Sequence, residues 1–505
     1  MKITSELYSS SLALFTDFYQ LTMAYGYWKS GIAEKEAVFN LFFRKNPFNG
    51  GFTINCGLEY VIDYVKNFQF TQEDLSYLAT INGTEGKLLF EEDFLKYLRE
   101  LKIEVDIDAI PEGKAVFPHE PIIRVKGPIL QCQLLESPLL NIINFQTLIA
   151  TKAARIYNVA KGDPVLEFGL RRAHGIDGAL AASRASYIGG CSSTSNVLAG
   201  KLFGIPVSGT HAHSWVMAFD DEPTAFKAYA EAMPDNCILL VDTYNTIEGI
   251  RHAIKVGNML DKKGKKLSGI RIDSGDLAYF SIQARQMLDE AGFKETSIVA
   301  SNDLDENIIS SLRTQDAKIG VWGIGTKLVT AYDQPALGAV YKLSAIKNEK
   351  NQWDYKIKLS EQAIKVNNPG IQQVRRFYNG GEKGQQKVPM ADMLYDINTP
   401  LKDKLKIIDP MDLTRRKIIK AEGLEYDELL LPVFENGEQV YQSPDIHTIR
   451  QQTIDTLNEL PSGVKRLVNP HSYPVGLEEK LYNLKTDLIL QLRNLNDDEG
   501  DNEDT

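Results

Sequence analysis

Cysteine is scarce in this sequence, and its placement excludes two classes of protein. Only four cysteines occur among 505 residues, at Cys56, Cys132, Cys191 and Cys237, and no two of them form a CxxC pair. A small disulfide-stabilised domain needs a denser framework, and a structural zinc site needs closely spaced thiolates. The spacing therefore favours a protein of a reducing compartment that has no zinc cluster.

The chain also lacks a long apolar run and an excess of positive charge. No uninterrupted hydrophobic stretch approaches the roughly 20 residues that span a bilayer. The opening MKITSELYSS lacks the basic and apolar regions of a signal peptide, so we expect a cytoplasmic protein that binds no membrane. Lysine and arginine number 56 against 67 acidic residues, which gives a formal net charge of −11. Proteins that coat a nucleic acid are normally basic, so we expect no nucleic-acid partner.

What remains is an ordinary globular composition on a chain long enough for several domains. Hydrophobic residues make up 43% of the sequence and charged residues 24%. The patterning predicts an N-terminal α+β domain over residues 1–135, an irregular α/β barrel that carries the active site over 136–350, and a smaller C-terminal α+β domain over 351–495. Residues 496–505 are strongly acidic and have no apolar face, which predicts a disordered tail.

Short apolar runs recur through the middle of the chain, each ending in polar or glycine residues and followed by a helical pattern. They lie at residues 164–169, 205–209, 237–242, 269–273, 297–301 and 319–325. Runs of this kind, separated by helices, are typical of buried parallel strands in βα units. Six or seven strands can be counted, so an irregular or incomplete (β/α) barrel fits better than a complete one. A doubly wound sheet is the alternative.

The side chains that follow these runs indicate a site for anions. Reactive groups of a (β/α) barrel converge at the carboxyl ends of its strands. Here the runs lead into Arg171 and Arg172, the string Thr210–His213, Asp242, Asp273, and a glycine loop at 323–327. Arginines clamp carboxylates, glycines let backbone N–H groups reach phosphate, and aspartates hold Mg²⁺ or sugar hydroxyls. Each group also has an ordinary structural explanation: the arginines could form surface ion pairs, the glycines a plain turn, and the aspartates helix caps. Their convergence favours an enzyme that handles a phosphorylated sugar and a carboxylated ligand.

Two of the seven histidines, His211 and His213, fall in this group. In a strand their spacing would place both rings on one side, which permits a divalent metal site. No cysteine or third histidine lies at ligand spacing, so we favour a histidine that acts as nucleophile or as acid and base. A metal ligand is the alternative.

Several strings closely resemble the nicotinate phosphoribosyltransferase family, and they occur in the family's order between residue 16 and about residue 345. They are TDFYQLTMAYGYW (16–28), FFRKNPFNGGFTINCGLEY (42–60), EFGLRRAHG (167–175), SSTSNVLAGKLFGIPVSGTHAHSWV (192–216), RIDSGDLA (271–278) and the GIGT loop. The resemblance implies ATP-assisted condensation of nicotinate with 5-phosphoribosyl 1-diphosphate. The products would be nicotinate mononucleotide, diphosphate, ADP and phosphate, at the entry to NAD salvage. It also implies Mg²⁺ and a homodimer with the active site at the subunit interface.

The resemblance assigns roles to residues around the pyridine ring. His213 matches the histidine that ATP transiently phosphorylates, and His211 is the weaker candidate. Phe168 would stack on the ring and Arg171 would meet the carboxylate, while Tyr19 of the partner subunit would cover the other face. Ser195 stands where nicotinamide-using relatives have an aspartate that would repel a carboxylate, so it favours nicotinate.

The remaining implied roles concern the sugar and its phosphates. The ribose, phosphates and Mg²⁺ would be held by Asp242, Arg271, Asp273, Ser301 and Asn302, with Asp242 and Asp273 as metal ligands. The 5′-phosphate would lie at Gly323, Gly325 and Thr326, and the diphosphate at Arg44 or Lys45. Asp242, Asp273 and Arg271 would join His213 as the catalytic set.

Three other functions stay open at this point. A nicotinamide-using relative would prefer the amide, and Ser195 argues against it. A barrel lyase or aldolase would need a Schiff-base lysine at a strand end, where only Lys327 lies near. A non-catalytic nucleotide-binding protein would bind ligand without turnover.

Overall fold

The computed structural model describes residues 11–379, 387–412, 414–420 and 424–493, so the predicted tail at 496–505 lies outside it. In the first part of the chain an aromatic-rich helix is followed by short strands and further helices. These are α1 (Phe18–Lys29), β1 (Glu36–Phe42), β2 (Thr53–Ile54), α2 (Leu58–Lys66), α3 (Gln72–Leu78), α4 (Glu92–Glu100), β3 (Asp106–Ala109), β4 (Ala115–Val116), β5 (Ile123–Pro128), α5 (Ile129–Leu134) and α6 (Glu136–Ala160).

The middle of the chain alternates strands and helices. They are β6 (Val165–Glu167), α7 (Gly175–Ile188), β7 (Ser193–Thr194), α8 (Val197–Phe203), α9 (His213–Met217), α10 (Glu222–Ala232), β8 (Cys237–Leu240), α11 (Thr246–Asp261), β9 (Leu267–Ile272), α12 (Leu277–Glu290), β10 (Ser297–Ala300), α13 (Glu306–Thr314), β11 (Val321–Ile324) and α14 (Thr326–Val329).

The last part is mainly antiparallel. Its elements are β12 (Val340–Lys347), β13 (Trp353–Tyr355), β14 (Gln372–Asn379), β15 (Val388–Asp396), β16 (Lys404–Ile408), β17 (Arg416–Lys420), β18 (Tyr426–Glu428), β19 (Leu431–Glu435), β20 (Glu438–Gln439), α15 (Ile446–Glu459), β21 (Val475–Glu478) and α16 (Glu479–Leu492). No helix of the described residues is long and apolar enough to cross a membrane.

A curled parallel sheet forms the centre of the molecule, in the strand order β7-β6-β11-β10-β9-β8, with every neighbouring pair parallel. Its short strands are apolar because helices cover them; Ile298, Val299 and Ala300 of β10 are all buried. The prediction of an incomplete barrel is confirmed by this half-barrel, which is accompanied by further sheets and their helices.

One strand prediction was wrong. Residues 205–209 do not form a strand; they contribute a single parallel bridge between Val207 and Thr194. The N–H of Thr194 bonds to the carbonyl of Pro206, and the N–H of Ser208 to the carbonyl of Thr194, but Pro206 itself has no N–H to extend the ladder. The edge strand is instead β7, whose two hydroxyl residues carry no apolar signal.

The antiparallel sheet takes strands from distant parts of the sequence. Its order is β13-β12-β1-β5-β3-β19-β20, so strands from the first part of the chain pair with strands beyond residue 339. A third sheet has the order β17-β16-β21-β15-β14-β18, and β2 pairs with β4. The domain boundaries given above stay predictions.

Helix α6 connects the sheets. Residues 146–156 of this 25-residue helix are all buried, as expected for a helix with protein on every side. The hydroxyl of Thr151 accepts a hydrogen bond from the N–H of Ile54 at 2.9 Å, and Thr147 accepts one from the N–H of Cys56 at 3.1 Å. The helix therefore fixes the first part of the chain against the half-barrel.

Candidate active site

A cavity of about 300 Å³ opens at the carboxyl edge of the half-barrel. This volume is at the lower end of the range for small-molecule sites. The cavity is lined by six of the residues predicted for the site, namely Phe168, Arg171, Ser195, His213, Arg271 and Asp273. Residues at the ends of three strands, β6, β7 and β9, thus meet the first residue of α9 at one place, as the predicted barrel requires.

His213 begins helix α9 and presents one ring nitrogen to the cavity. Its Nδ1 lies 3.1 Å from the hydroxyl of Thr243, and its Nε2 lies 3.8 Å from Oδ2 of Asp273. The side chain is 39% exposed. When Nδ1 carries the proton and donates it to Thr243, Nε2 keeps a free lone pair at the cavity. This is the geometry of a nucleophile or a proton acceptor.

His211 is held differently, although it is only two residues away. Its ring is buried against Tyr229, with ring centroids 4.7 Å apart. The N–H of Leu240 donates to its Nε2 at 3.1 Å, so that nitrogen is unprotonated and already occupied. Burial lowers the pKa of His211, which keeps the ring neutral.

This difference corrects the expectation that the two rings would lie on one side of a strand. The segment is a loop that enters α9, and both residues border the cavity, but His211 is buried with its Nε2 on the N–H of Leu240, whereas the His213 side chain is 39% exposed. A metal site formed by the two histidines is disfavoured, because Nε2 of His211 already accepts a hydrogen bond from a backbone N–H and is not available to a metal ion. Within the described residues, no group of three or more His, Cys, Asp or Glu side chains is arranged to hold a metal ion.

Arg271 organises the floor of the cavity with three hydrogen bonds. Its Nε donates to Ser301 Oγ at 2.6 Å, Nη1 to Thr210 Oγ1 at 2.9 Å, and Nη2 to Asp273 Oδ1 at 2.9 Å. The Ser301 hydroxyl also donates to Asp273. Burial opposes ionisation of Asp273, but the Ser301 hydrogen bond and the charge of Arg271 outweigh it and lower its pKa. The guanidinium lies 5.8 Å from the centre of the Phe168 ring.

Asp242 lies beside this cluster and keeps one oxygen free. Its Oδ2 accepts from the N–H of Asp273 at 2.8 Å and from Ser274 Oγ at 2.6 Å. Its Oδ1 is buried and has no hydrogen-bond partner among the described residues. A free carboxylate oxygen next to Asp273 fits Mg²⁺, which proteins often bind through one or two carboxylates together with substrate phosphates and water.

Phe168, Arg171 and Ser195 also line the cavity. Gly323 permits the position of the Phe168 ring, because a Cβ at residue 323 would lie 2.9 Å from ring carbons. Arg171 is exposed, and in the described ranges it has no carboxylate within ion-pair distance, so the surface ion pair weighed above is not formed. A free guanidinium at a cavity with an aromatic wall suits a planar carboxylate.

The predicted phosphate residues border the cavity without lining it. A Cβ at Gly323 would lie 2.9 Å from the Phe168 ring and 3.3 Å from Ser301, and a Cβ at Gly325 would lie 3.3 Å from the carbonyl oxygen of Phe168. Thr326 begins α14 after this loop, and the exposed Asn302, two residues after the end of β10, has a positive φ of 120°. These residues lie at the same edge as the cavity, and their contact with phosphate stays a prediction.

Lys327 argues against a Schiff-base enzyme. Its Nζ lies 2.7 Å from Oδ2 of Asp305, and that hydrogen bond raises the pKa of Lys327. A Schiff-base lysine needs a lowered pKa to supply a neutral amine. The lyase or aldolase alternative therefore has no suitable nucleophile at this position.

Two predicted residues lie elsewhere in the chain's own fold. Tyr19 is on α1 and is 48% exposed, and burial together with the charge of Glu136 raises its pKa. Neither Tyr19 nor Glu136 lines the cavity. Arg44 lines a second cavity of about 400 Å³ together with His119 and Arg415. Burial and the charges of Lys485 and Arg44 lower the pKa of His119 to about 4, so this cavity's positive charge comes from the other basic groups. The contribution of Tyr19 from a partner subunit stays a prediction.

Sequence reasoning did not assign a role to Thr243, Thr210 or Glu167. Thr243 bonds to His213, and Thr210 to Arg271. Both follow strand-like runs, and that position is the signal by which they could have been found. Glu167 is buried behind Phe168, where its contacts come from residues far along the sequence.

The fold and the cavity together define a class, an α/β half-barrel enzyme whose active site lies at the carboxyl ends of parallel strands. Models of the nicotinate phosphoribosyltransferase family match residues 14–144 with the N-terminal domain, 165–378 with the family's main model and 371–485 with the C-terminal domain. The chain belongs to the nicotinate phosphoribosyltransferase family.

Individual relatives extend over nearly the whole sequence. A nicotinate phosphoribosyltransferase of Bacillus subtilis is 46% identical over 495 residues, covering 98% of this chain and 98% of the relative. The human nicotinate phosphoribosyltransferase is 32% identical, covering 96% and 98%. The crystal structure of human nicotinic acid phosphoribosyltransferase superimposes with a TM-score of 0.81 at 31% identity, over 94% of this chain and 99% of that one.

Proposed function

We propose that this protein transfers the phosphoribosyl group of 5-phosphoribosyl 1-diphosphate to nicotinate, giving nicotinate mononucleotide and diphosphate for NAD salvage. The observation that carries the proposal is the similarity to nicotinate phosphoribosyltransferases along essentially the full chain. The cavity supports it, because an aromatic wall, an arginine without a carboxylate partner among the described residues, and a partly buried Arg–Asp–Ser cluster share one opening.

The pyridine ring would lie on Phe168, with its carboxylate toward Arg171 and Ser195. Ser195 is neutral, so it adds no repulsion against a carboxylate as an aspartate would. This arrangement supports nicotinate over nicotinamide as the substrate. The guanidinium of Arg171, which has no carboxylate partner in the described ranges, is the group that would supply the matching charge.

The transfer step needs charge stabilisation and positioning. The ring nitrogen attacks C1 of the ribose while the bond from C1 to the diphosphate oxygen breaks, so charge builds on the leaving diphosphate. Arg271 holds Asp273 beneath the site, Ser301 and Asn302 border the sugar, and the 323–326 loop would receive the 5′-phosphate. Mg²⁺, held by Asp242 and Asp273, would neutralise part of the diphosphate charge.

ATP would be coupled to this step through His213. Nε2 of His213 attacks the γ-phosphorus of ATP, ADP leaves, and water later cleaves the phosphorus–nitrogen bond to release phosphate. The half-exposed ring with a hydrogen bond at Nδ1 supports His213 in this role. The occupied Nε2 of His211 argues against that ring.

The complete site would form in a homodimer. Tyr19 is half exposed on α1 and lies outside the cavity of its own chain, which supports a role toward a second subunit. Arg44 likewise lines a separate cavity and has a buried Nε without a partner in the part of the chain described. Both would meet the substrates bound by the partner.

A turnover assay tests the proposal. The purified protein is incubated with 5-phosphoribosyl 1-diphosphate, Mg²⁺ and either nicotinate or nicotinamide, with and without ATP, and mononucleotide and ADP are separated by chromatography. We expect product from nicotinate only, more of it with ATP, and release of ADP. Product from nicotinamide instead, or from neither compound, would contradict the proposal.

A further inference from the structure

A buried carboxylate that has no cationic partner in the described part of the chain lies next to the cavity residue Phe168. Glu167 ends strand β6, immediately before Phe168, and is 1% exposed. Its hydrogen bonds within the described residues all come from neutral groups. A buried charge is costly unless every oxygen is well hydrogen-bonded, so such a group fixes the position of its donors.

Three donors meet the two oxygens of Glu167. The N–H of Gly169 donates to Oε1. The hydroxyls of Thr194 and Ser183 donate to Oε2 at 2.5 and 2.9 Å. These donors come from the loop after β6, from strand β7 and from helix α7, so one side chain joins three elements.

A second layer extends the network to helix α8. The N–H of Asn196 donates to Thr194 Oγ1 at 3.0 Å, and its Nδ2 donates to Ser183 Oγ at 3.2 Å. Its Oδ1 caps α8 by accepting from the N–H of Ala199 at 3.2 Å. Ser183, Thr194 and Asn196 are each at most 2% exposed, so water does not compete for these bonds.

The network encloses the two residues that would face the pyridine ring. Phe168 follows Glu167 in the chain, and Ser195 lies between Thr194 and Asn196. The N–H of Ser195 donates to the carbonyl of Glu167 at 2.9 Å. The distance between the aromatic wall and the Ser195 hydroxyl is therefore set by the groups that Glu167 binds.

We propose that Glu167 is a positioning residue for the aromatic substrate, acting through Thr194 and Ser183 on Phe168 and Ser195. The inference rests on the proposed use of this cavity for nicotinate, and Glu167 itself does not touch the substrate. A carboxylate suits the place because both of its oxygens accept. Glu167→Gln would set an amide N–H against one of the donors, and it can also prevent folding, so Thr194 provides the sharper test.

Thr194→Val removes one hydroxyl at nearly constant shape. Oε2 of Glu167 then keeps only Ser183, and the N–H of Asn196 loses its acceptor. We expect the KM for nicotinate to rise about tenfold, a decade being about 1.4 kcal/mol, while the KM for 5-phosphoribosyl 1-diphosphate and the kcat at saturation change less than about twofold. Thr194→Ser keeps the hydroxyl and should return the nicotinate KM to within about twofold of the wild type.

Thr296→Val is the matched control. Thr296 is 4% exposed, and its hydroxyl donates to the carbonyl of Leu267 at 2.9 Å. It precedes β10 at the amino edge of the half-barrel, opposite the cavity. The same isosteric change there should lower the melting temperature and leave both KM values unchanged.

The outcomes separate this inference from the proposed function. A rise in nicotinate KM for Thr194→Val alone, reversed in Thr194→Ser, supports positioning by Glu167. Equal nicotinate KM values in the wild type, Thr194→Val and Thr296→Val would overturn it and leave the function intact. A wild type that makes no mononucleotide from nicotinate would overturn the proposed function itself.

Discussion

The carboxyl and amino edges of the half-barrel are built from the same strands, but some polar groups at the carboxyl edge lack the protein partners that those at the amino edge have. At the amino edge, Arg285 donates to the carbonyls of Thr296 and Phe293 and to Asp289. At the carboxyl edge, Arg171 has no carboxylate partner in the described ranges, and Asp242 keeps a buried oxygen unpaired there. The first arginine stabilises the fold, and the second is available to a ligand.

Unused hydrogen-bonding capacity costs stability, so a fold keeps it where a ligand supplies the missing partner. The same difference separates the two histidines of the 210–213 string. His211 is buried and satisfied by backbone, whereas His213 has one nitrogen at the cavity. The comparison between edges therefore predicts which substitutions change activity and which change only stability.

The largest effect is expected for Asp273→Asn at the carboxyl edge. The change removes the charge that pairs with Arg271 and lies near Nε2 of His213. We expect kcat/KM to fall by about 100-fold or more, or about 2.7 kcal/mol in transition-state stabilisation, measured by steady-state kinetics. Asp289→Asn breaks a comparable Asp–Arg pair at the amino edge and should leave kcat/KM within about twofold. Similar losses in both variants would remove the distinction between the edges.

Ser195→Asp should have the next largest effect. The new carboxylate would repel that of nicotinate, so we expect the nicotinate KM to rise about tenfold or more, about 1.4 kcal/mol. Ser195→Asn introduces a side chain of nearly the same size as aspartate but without its charge, and it serves as the control. If both variants show the same KM, repulsion is not what selects the acid.

Much of this edge could be predicted from the sequence, because buried parallel strands appear as short apolar runs with polar residues after them. The apolar runs that form β6, β8 and β9 place Arg171, Asp242 and Asp273 at one edge by their order in the sequence alone. The strand predicted at 205–209 is absent because backbone pairing there is limited to a single bridge. Two-residue β7 was missed because Ser193 and Thr194 give no hydrophobic pattern.

Other features depend on contacts that no local pattern contains. Strands β12 and β19 complete a sheet that begins at Glu36, and their sequence separation hides the pairing. The environment of His211 depends on the N–H of Leu240, 29 residues further along. The donors of Glu167 lie up to 27 residues away. Such contacts are decided by tertiary packing.

A smaller effect is expected for Thr243→Val, which removes the hydroxyl beside Nδ1 of His213. A neutral hydrogen bond contributes about 1 kcal/mol, so the stimulation by ATP should fall about fivefold while the rate without ATP stays unchanged. Thr243→Ser should retain the stimulation. A uniform loss with and without ATP would show that Thr243 does not act through His213.

The smallest effect concerns pH and His211. Burial lowers its pKa in the folded state, so the unfolded chain binds the proton more readily. The stability contribution is fully present above the unfolded pKa of about 6.5 and is lost as the pH falls toward the folded value, by at most about 1.4 kcal/mol per pH unit for one proton. His211→Gln can still accept from Leu240 and does not titrate. Denaturant unfolding of the two proteins should diverge below about pH 6.5; parallel curves would contradict this.

The most direct test of the account is to determine whether ATP transfers its γ-phosphate to the protein, and to which residue. The wild type, His213→Ala and His211→Gln are incubated with ATP labelled at the γ-phosphate and Mg²⁺, and labelled peptides are identified by mass spectrometry under conditions that preserve phosphohistidine. The account predicts label on His213 in the wild type and in His211→Gln, and none in His213→Ala. Label that persists in His213→Ala and disappears in His211→Gln would contradict the assignment of the open ring as the reactive one.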